Sequence, residues 1–537
     1  MAKVTQEEIG GGIYELTDEA YDGLKDSKYF NEDLAPSRKA DRTWGTGTYM
    51  NLWVGMAICI SSITMASSMV ALGMAPMMAW LSVVLGNLIV AVPISLNGRI
   101  GAKYGVTFPV FSRLVFGKTG SQIPTLSRSV VACGWSSINC WIGGAAVAAI
   151  LGCAWPKLSD TSNTVAMPGN PSTPVGQILG FFIFIAIAFL VAFNGIDKVK
   201  IVQNIGSPVL IIVIIALLIY SIFLLHDSGH TLMDVFREPR DTTVIQNNGG
   251  FVFIFCVGLT SNISFWSTMA LNIPDFSRTS KNLKAQRNGM WLGMPIPMAL
   301  CAFVGVVFSQ ATKYSTGVAN WDPSTVLYAL DNKVIIIIAA AGVMIGTLTT
   351  TVAANMVAPA NGFSNIAPKK LSYKWGVVLT CIIAIVVFQP WWVYGSASSY
   401  IFGFLNNYGT IIAPIAAIFI ADYFMFKKQR VDVCGLYDES KKYTYSHGWN
   451  AAAYVSWICA FIIPLLWNTV FSYPSGSGHL PNALQYIAAN GYIFSFVVAM
   501  VLYIILVKTP LGGEKEFNGT MTAEELEAIT KKAESIA

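Results

Sequence analysis

The chain has 537 residues, 54% of them apolar and 12% charged, with a formal net charge of +5. Soluble domains carry about 25% charged residues, so half the charge needed to coat a water-facing surface is missing. That excludes a soluble enzyme, a disordered scaffold and a fibrous repeat, and leaves an all-α polytopic membrane protein. The small positive balance gives no reason to expect nucleic acid as a partner. Nine cysteines contain no Cys-x-x-Cys pair and fall mostly in apolar runs, where they act as small apolar residues rather than as a disulfide or metal framework.

In chain order, residues 1–46 are polar, have no apolar leader segment, and read as a soluble tail with no signal peptide to remove. Twelve stretches then have the length and apolarity to cross about 30 Å of hydrocarbon at about 1.5 Å per residue. They fall near 47–72, 77–97, 124–152, 174–193, 201–225, 248–271, 289–311, 333–358, 374–391, 398–425, 450–468 and 486–507, and are called spans one to twelve below. Pro390-Trp391-Trp392 and Gly395 divide span nine from span ten. Residues 426–449 form a polar loop, and 508–537 a second tail whose end, 520–537, carries a helix-capping pattern of Thr522 before Glu524 and Glu525.

Loop charge predicts orientation. With the N-terminus inside, the inward loops hold eighteen Lys and Arg, among them Arg99, Lys118, Arg278, Arg287 and Lys427, against five outside: Lys157, Arg237, Arg240, Lys313 and Lys333. Basic residues favour the cytoplasmic side, so both tails are expected in the cytoplasm, with the protein in the plasma membrane.

Within the spans ionisable residues are nearly absent. Asp275 and Asp422 lie at span ends, and Arg128, near the inner end of span three, is expected to snorkel to the headgroups. A metal-dependent intramembrane enzyme needs His, Asp or Glu ligands, and a channel would show filter repeats or charged rings; neither pattern occurs. Polar groups cluster instead in four segments: CISSIT after Gly55 in span one, GWSSIN in span three, GLTSNISFWST in span six and GTLTTTVAAN in span eight. Spans one and six stand five apart. Two inverted five-span repeats, about 47–225 and 248–425, each opening on an interrupted helix, are the pattern of a secondary transporter that binds at the bilayer midplane. Spans eleven and twelve fall outside this 47–425 core.

Several motifs carry a family resemblance: Tyr29-Phe30-Asn31-Glu32-Asp33-Leu34, Arg42-Thr43-Trp44, Leu96-Asn97-Gly98-Arg99-Ile100-Gly101, Phe108-Pro109-Val110, Asn272-Ile273-Pro274-Asp275-Phe276-Ser277-Arg278, Val352-Ala353-Ala354-Asn355 and Ala421-Asp422-Tyr423-Phe424. Together they resemble the nucleobase:cation symporter-1 family, nearer to the uracil, uridine and allantoin permeases and the hydantoin transporter than to the cytosine permeases. The resemblance implies a LeuT-like 5+5 fold and import of a flat neutral heterocycle or ureide by cation symport, with no other cofactor. It implies that Trp135 and Trp266 sandwich the substrate and that Asn355 hydrogen-bonds it. Asn139 stands where the family usually has Gln, Cys59 where it often has Gln or Asn, and Phe265 where the hydantoin transporter has Gly. By motif the family's sodium site maps to Gly55, Ile58, Gly346, Thr349 and Thr350, and a gate leucine to Leu405. Five neutral oxygens suit a monovalent cation, and sodium is favoured; proton-coupled import of thiamine, uridine or cytosine is the alternative. A carboxamide offers the donor and the acceptor that such rings require.

Overall fold

The computed structural model describes residues 5–194, 196–367, 370–397, 399–439, 442–469 and 481–513. The capping pattern at 520–537 therefore lies outside the described residues. Among them, eight helices are long and apolar enough to cross a membrane, two further pairs pass together across a bend, and Tyr373–Val386 and Ala451–Trp467 are shorter apolar helices. These account for all twelve predicted spans.

Span one is broken. Thr46–Ala57 and Ile60–Ala71 meet at 51°, joined by extended backbone at Ile58 (φ −81°, ψ 91°) and Cys59 (φ −152°, ψ 163°). The break leaves carbonyls of the first half and N–H groups of the second without helical partners, so polar backbone becomes available deep in an apolar layer. Span six is interrupted more gently: Phe251–Phe265 and Ser267–Ser277 are separated by the single residue Trp266 (φ −102°, ψ 4°) and together run as one span, Phe251–Ser277, without the sharp bend of span one. Span eight, Lys333–Thr350, passes into a wide π-helical turn at Thr351–Val357 before Ala358–Ser364. Such turns are frequent at functional sites. Span ten opens with a similar turn, Ser399–Asn406. Span three, Gln122–Ala154, is a continuous helix packed against spans four and eight and against the π-helical turn.

Span two runs from Pro76 to Tyr104, seven residues beyond its predicted end. The extra turns stay helical because they are buried against protein, not lipid. A Cβ on Gly101 would come within 2.8 Å of Pro274 in span six, and Asn97 Nδ2 donates to Ala270 O at 2.8 Å.

The first tail is no free appendage. Gln6–Gly10 and Ile13–Leu16 form a hairpin, and Gln6 pairs with the 426–449 loop, donating to Val431 O and accepting from Val433 N. Arg42, 5% exposed, donates to Ser37 O, Ala102 O and Tyr14 O. Tyr437 Oη donates to Leu34 O, and Arg278 to Asp33 O and Ala35 O. The tail thus lies across the end of the bundle that also holds Gly513, called the terminal face below. The opposite face carries the hairpin Thr164–Met167 with Asn170–Pro174 and the loop 317–332 with its short helix Pro323–Tyr328.

Candidate functional site

The two breaks, span three and the π-helical turn of span eight converge on one internal cavity of about 40 Å³. Its lining is Met56, Cys59 and Ser61 from span one, Trp135 and Asn139 from span three, Phe265, Trp266, Thr268 and Met269 from span six, and Thr350, Ala354 and Asn355 from span eight. All six residues named for substrate contact, Trp135, Asn139, Trp266, Phe265, Asn355 and Cys59, are among them. None of the twelve carries a charge. A drug-sized ligand site holds about 300 Å³ or more, so the cavity in this conformation fits a few waters and is closed to a heterocycle.

Phe265 is what closes it. Its ring centroid lies 4.9 Å from that of Trp135 and 5.2 Å from that of Trp266, edge-on to both. Trp135 is held rigidly: Nε1 donates to Tyr408 Oη at 3.2 Å, and Tyr408 donates to Ser264 O at 2.6 Å. Phe404 and Tyr400 pack edge-on against the same indole at 5.5 and 6.2 Å. Tyr400, Phe404 and Tyr408 were not singled out in the sequence, though their i, i+4, i+8 spacing on span ten was the available signal. Trp266 stands against Trp53 at 5.4 Å, and its buried Nε1–H has no partner among the described residues.

The amides differ in what they have left to offer. Asn139 Oδ1 accepts from Ser61 Oγ at 2.9 Å, so its NH₂ is the group available to a ligand. Asn355 accepts from Ser136 through its backbone carbonyl; its carboxamide is not engaged with another described side chain.

The five proposed cation oxygens flank the cavity. Ile58 lies at the break and Gly55 in the half-helix before it. Gly346, Thr349 and Thr350 occupy the last turns of the straight part of span eight. Thr350 lines the cavity and its hydroxyl approaches Gly346 O at 3.5 Å, a weak bond that a cation could displace. Thr349 donates to Ile345 O at 2.9 Å and packs on span five, where a Cβ at Gly206 would fall 1.7 Å from its Oγ1. Leu405 is fully buried in the π-helical turn of span ten and is not part of the cavity lining.

Arg128 departs from expectation. It is 2% exposed and does not snorkel. The first turns of span three are enclosed by the helix Phe108–Phe116 and the ends of spans six and eight, and the guanidinium there senses Asp275. Asp275 Oδ1 in turn accepts from Phe108 N at 2.7 Å.

Residues 36–498 match the family model described as permease for cytosine/purines, uracil, thiamine, allantoin. The chain is 34% identical over 496 residues to a purine-uracil permease of Arabidopsis thaliana, covering 92% of this chain and 80% of that one. It is 28% identical over 478 residues to an allantoin permease of Bacillus subtilis, covering 89% and 93%. In structure it is similar to Mhp1, a nucleobase-cation-symport-1 family transporter in a closed conformation with bromovinylhydantoin bound, with a TM-score of 0.69 and 21% identity over 94% of this chain and 99% of that one. That likeness supports the LeuT-like fold. On the family match and the Arabidopsis relative, the chain belongs to the nucleobase:cation symporter-1 family and is a membrane transporter, not an enzyme.

Proposed function

We propose that this chain imports a flat, neutral nitrogen heterocycle or ureide of the uracil, allantoin or hydantoin type, by symport with sodium. The observation that carries the reading is the cavity itself: two indoles on opposite helices, one with an unpartnered N–H, beside the carboxamides of Asn139 and Asn355. An imide or ureide ring alternates C=O with N–H. The Asn139 NH₂ would serve a ring carbonyl, and Asn355 has a donor and an acceptor for an edge that presents both. Stacking on aromatic faces contributes about 1–3 kcal/mol per base in nucleic-acid systems. A neutral ligand needs no counter-charge, in keeping with an uncharged lining.

The sequence of events follows from what blocks what. The terminal face is cytoplasmic on the loop-charge argument and the opposite face external. Substrate entry requires the outer face to open and Phe265 to swing from between the indoles, whose stacking faces the ligand then takes. Sodium between spans one and eight would draw Ile58 and Thr350 together across the cavity edge and so favour the bound arrangement. Leu405 on span ten would close over the ligand.

Two measurements test this. Radiolabelled uracil uptake into cells expressing the protein, competed by allantoin, hydantoin, uridine, thiamine and cytosine, is expected to rank the single-ring imides and ureides first. Replacing sodium by choline at fixed pH is expected to abolish accumulation. Uptake indifferent to sodium and driven by an imposed pH gradient would overturn sodium coupling and leave the heterocycle assignment intact.

A further inference from the structure

Most hydroxyls of the spans give their proton to their own helix. Ser129 donates to Thr125 O, Ser221 to Leu217 O, Thr351 to Thr347 O and Thr380 to Gly376 O, each reaching the carbonyl four residues back. Ser61 has no such carbonyl to reach. It is the second residue of the half-helix Ile60–Ala71, and one turn back the chain has left helical register, with Ile58 and Cys59 extended. Ala57 O there accepts from Cys301 Sγ at 3.7 Å, and Cys59 O from Ser62 N and Ile63 N at 3.1 and 3.4 Å. The Ser61 proton goes to span three instead, to Asn139 Oδ1 at 2.9 Å.

That bond fixes which end of the amide is left for a ligand. Both side chains line the cavity, Ser61 being 1% and Asn139 3% exposed. With Oδ1 held by Ser61, Asn139 offers the cavity its NH₂. Turning the amide over would bring Nδ2 to Ser61 Oγ, which can accept it, but the Ser61 O–H would then be stranded in a dry site while Oδ1 faced the ligand. One serine proton therefore decides whether this position is a donor or an acceptor. Trp135, one turn earlier on span three, is itself held by Tyr408, so one helix sets both the ring face and the polar edge.

Asn355 is not held in this way. Ser136 donates to its backbone carbonyl and leaves its carboxamide to turn either end to a ligand. Of the two cavity amides, Asn139 alone is polarised.

We propose that Ser61 is a specificity-determining positioning residue: by holding Asn139 Oδ1 it makes that side chain a donor, so the site prefers rings with a carbonyl at this edge over rings with an amino group there. Uracil and hydantoin carry a carbonyl on each side of an imide N–H. Cytosine replaces one of those carbonyls by an amino group, and isocytosine replaces the other. An amino group set against the Asn139 NH₂ opposes donor to donor, and neither finds an acceptor. The selector rests on the heterocycle reading and is independent of which cation drives uptake.

The test compares competitors within each variant. Ser61→Ala deletes the proton with almost no change of volume, and frees Asn139 to turn either end to the ligand. The measurement is inhibition of radiolabelled uracil or allantoin uptake by uracil, hydantoin, cytosine and isocytosine, in cells expressing wild type or variant. In Ser61→Ala the inhibition constant of cytosine or isocytosine relative to uracil is expected to fall about tenfold, with the hydantoin ratio unmoved. Ser61→Cys, which keeps the shape with a weaker donor, is expected to fall between. Ser136→Ala removes a hydroxyl that polarises no side chain, and is expected to scale all four competitors alike. Ratios in Ser61→Ala and Ser61→Cys equal to wild type, or the same shift in Ser136→Ala, would overturn the selector and leave the heterocycle reading standing. Absence of wild-type uptake of both uracil and allantoin would overturn the heterocycle reading and the selector with it.

Discussion

The middle of the bundle and its terminal face treat buried polarity in opposite ways. Around the cavity polarity is carried by hydroxyls, carboxamides and indoles, and some of it is left unpaired: the Trp266 N–H and the Asn355 carboxamide. At the terminal face guanidinium groups are buried outright, and Arg42 and the two Nη atoms of Arg113 spend their donors on protein. Arg113, 1% exposed, reaches Tyr29 O in the first tail, Leu436 O in the 426–449 loop and Asn365 Oδ1 at the end of span eight. Burial pulls its guanidinium down to about 10, still charged at neutral pH. The difference separates two jobs. Charge is kept out of the cavity proposed to bind and release a neutral ligand, and is used where segments distant in sequence must be held together.

If that separation holds, the largest folding loss from removing a polar side chain should come from the terminal face. Arg113→Ala strands three acceptors at once, and a loss of about 3 kcal/mol is expected. It should appear as a marked fall in the melting temperature of the detergent-solubilised protein. Arg113→Lys, with donors but no planar fork, should recover part of it. An unchanged melting temperature would mean that the tail and loop contacts do not hold the face.

The mirror-image change is Asn355→Ala. Its carboxamide is free of described side-chain partners, so the melting temperature should stay put while transport suffers. Losing a ligand hydrogen bond in a dry site costs about 2 kcal/mol, roughly thirtyfold in uptake affinity. A fall in stability without a change in affinity would show that the cavity edge is structural and that the comparison is wrong there.

How much of this was legible in the sequence follows the same division. The spans, and the breaks in spans one and six, were readable because the bilayer demands long apolar runs and because CISSIT and TSNISFW interrupt them at matching places. The polar segments around Trp135, Trp266 and Asn355 stood out in apolar surroundings, and the family resemblance then singled out those three residues. The terminal face was not readable. Gln6, Arg42 and Arg113 act on backbone carbonyls, and hydropathy does not record which carbonyls a distant segment will present. Hence the first tail read as a soluble appendage and Arg128 as a side chain snorkelling to the headgroups. Nor does the sequence say that Phe265 packs against both indoles; that depends on the helix interruption at Trp266.

Phe265 sharpens the comparison inside the cavity. Phe265→Gly would clear the slot, at a cost of about 3–5 kcal/mol for removing a buried aromatic that packs on both indoles. Competition by hydantoins bearing a bulky substituent is expected to strengthen about tenfold relative to uracil, since a pocket discriminates a few methylenes by about 1–3 kcal/mol. An unchanged ranking would mean that the ring leaves the slot entirely in the bound state and takes no part in selection.

The smallest effect is expected at the proposed cation oxygens, because each would be one neutral ligand among five. Thr350→Val keeps the shape and deletes only the hydroxyl that now rests weakly on Gly346 O. Thr349→Val deletes one that is bonded to Ile345 O and wedged against Gly206. The weaker the existing bond, the less is given up when a cation arrives, so Thr350 should contribute more to sodium affinity than Thr349. A loss of about 1 kcal/mol, roughly fivefold, is expected for Thr350→Val. Sodium and substrate binding are reciprocally linked, so the sodium-induced gain in substrate affinity and the substrate-induced gain in sodium affinity must be the same factor. The measurement is substrate affinity across a sodium titration, at two pH values, for both variants. On the proposed sodium symport, transport is expected to stay electrogenic in either, since each sodium carried with a neutral ligand would move one charge, worth about 2.3 kcal/mol per 100 mV. Wild-type sodium dependence in Thr350→Val would remove that hydroxyl from the site and confine its role to packing beside the π-helical turn.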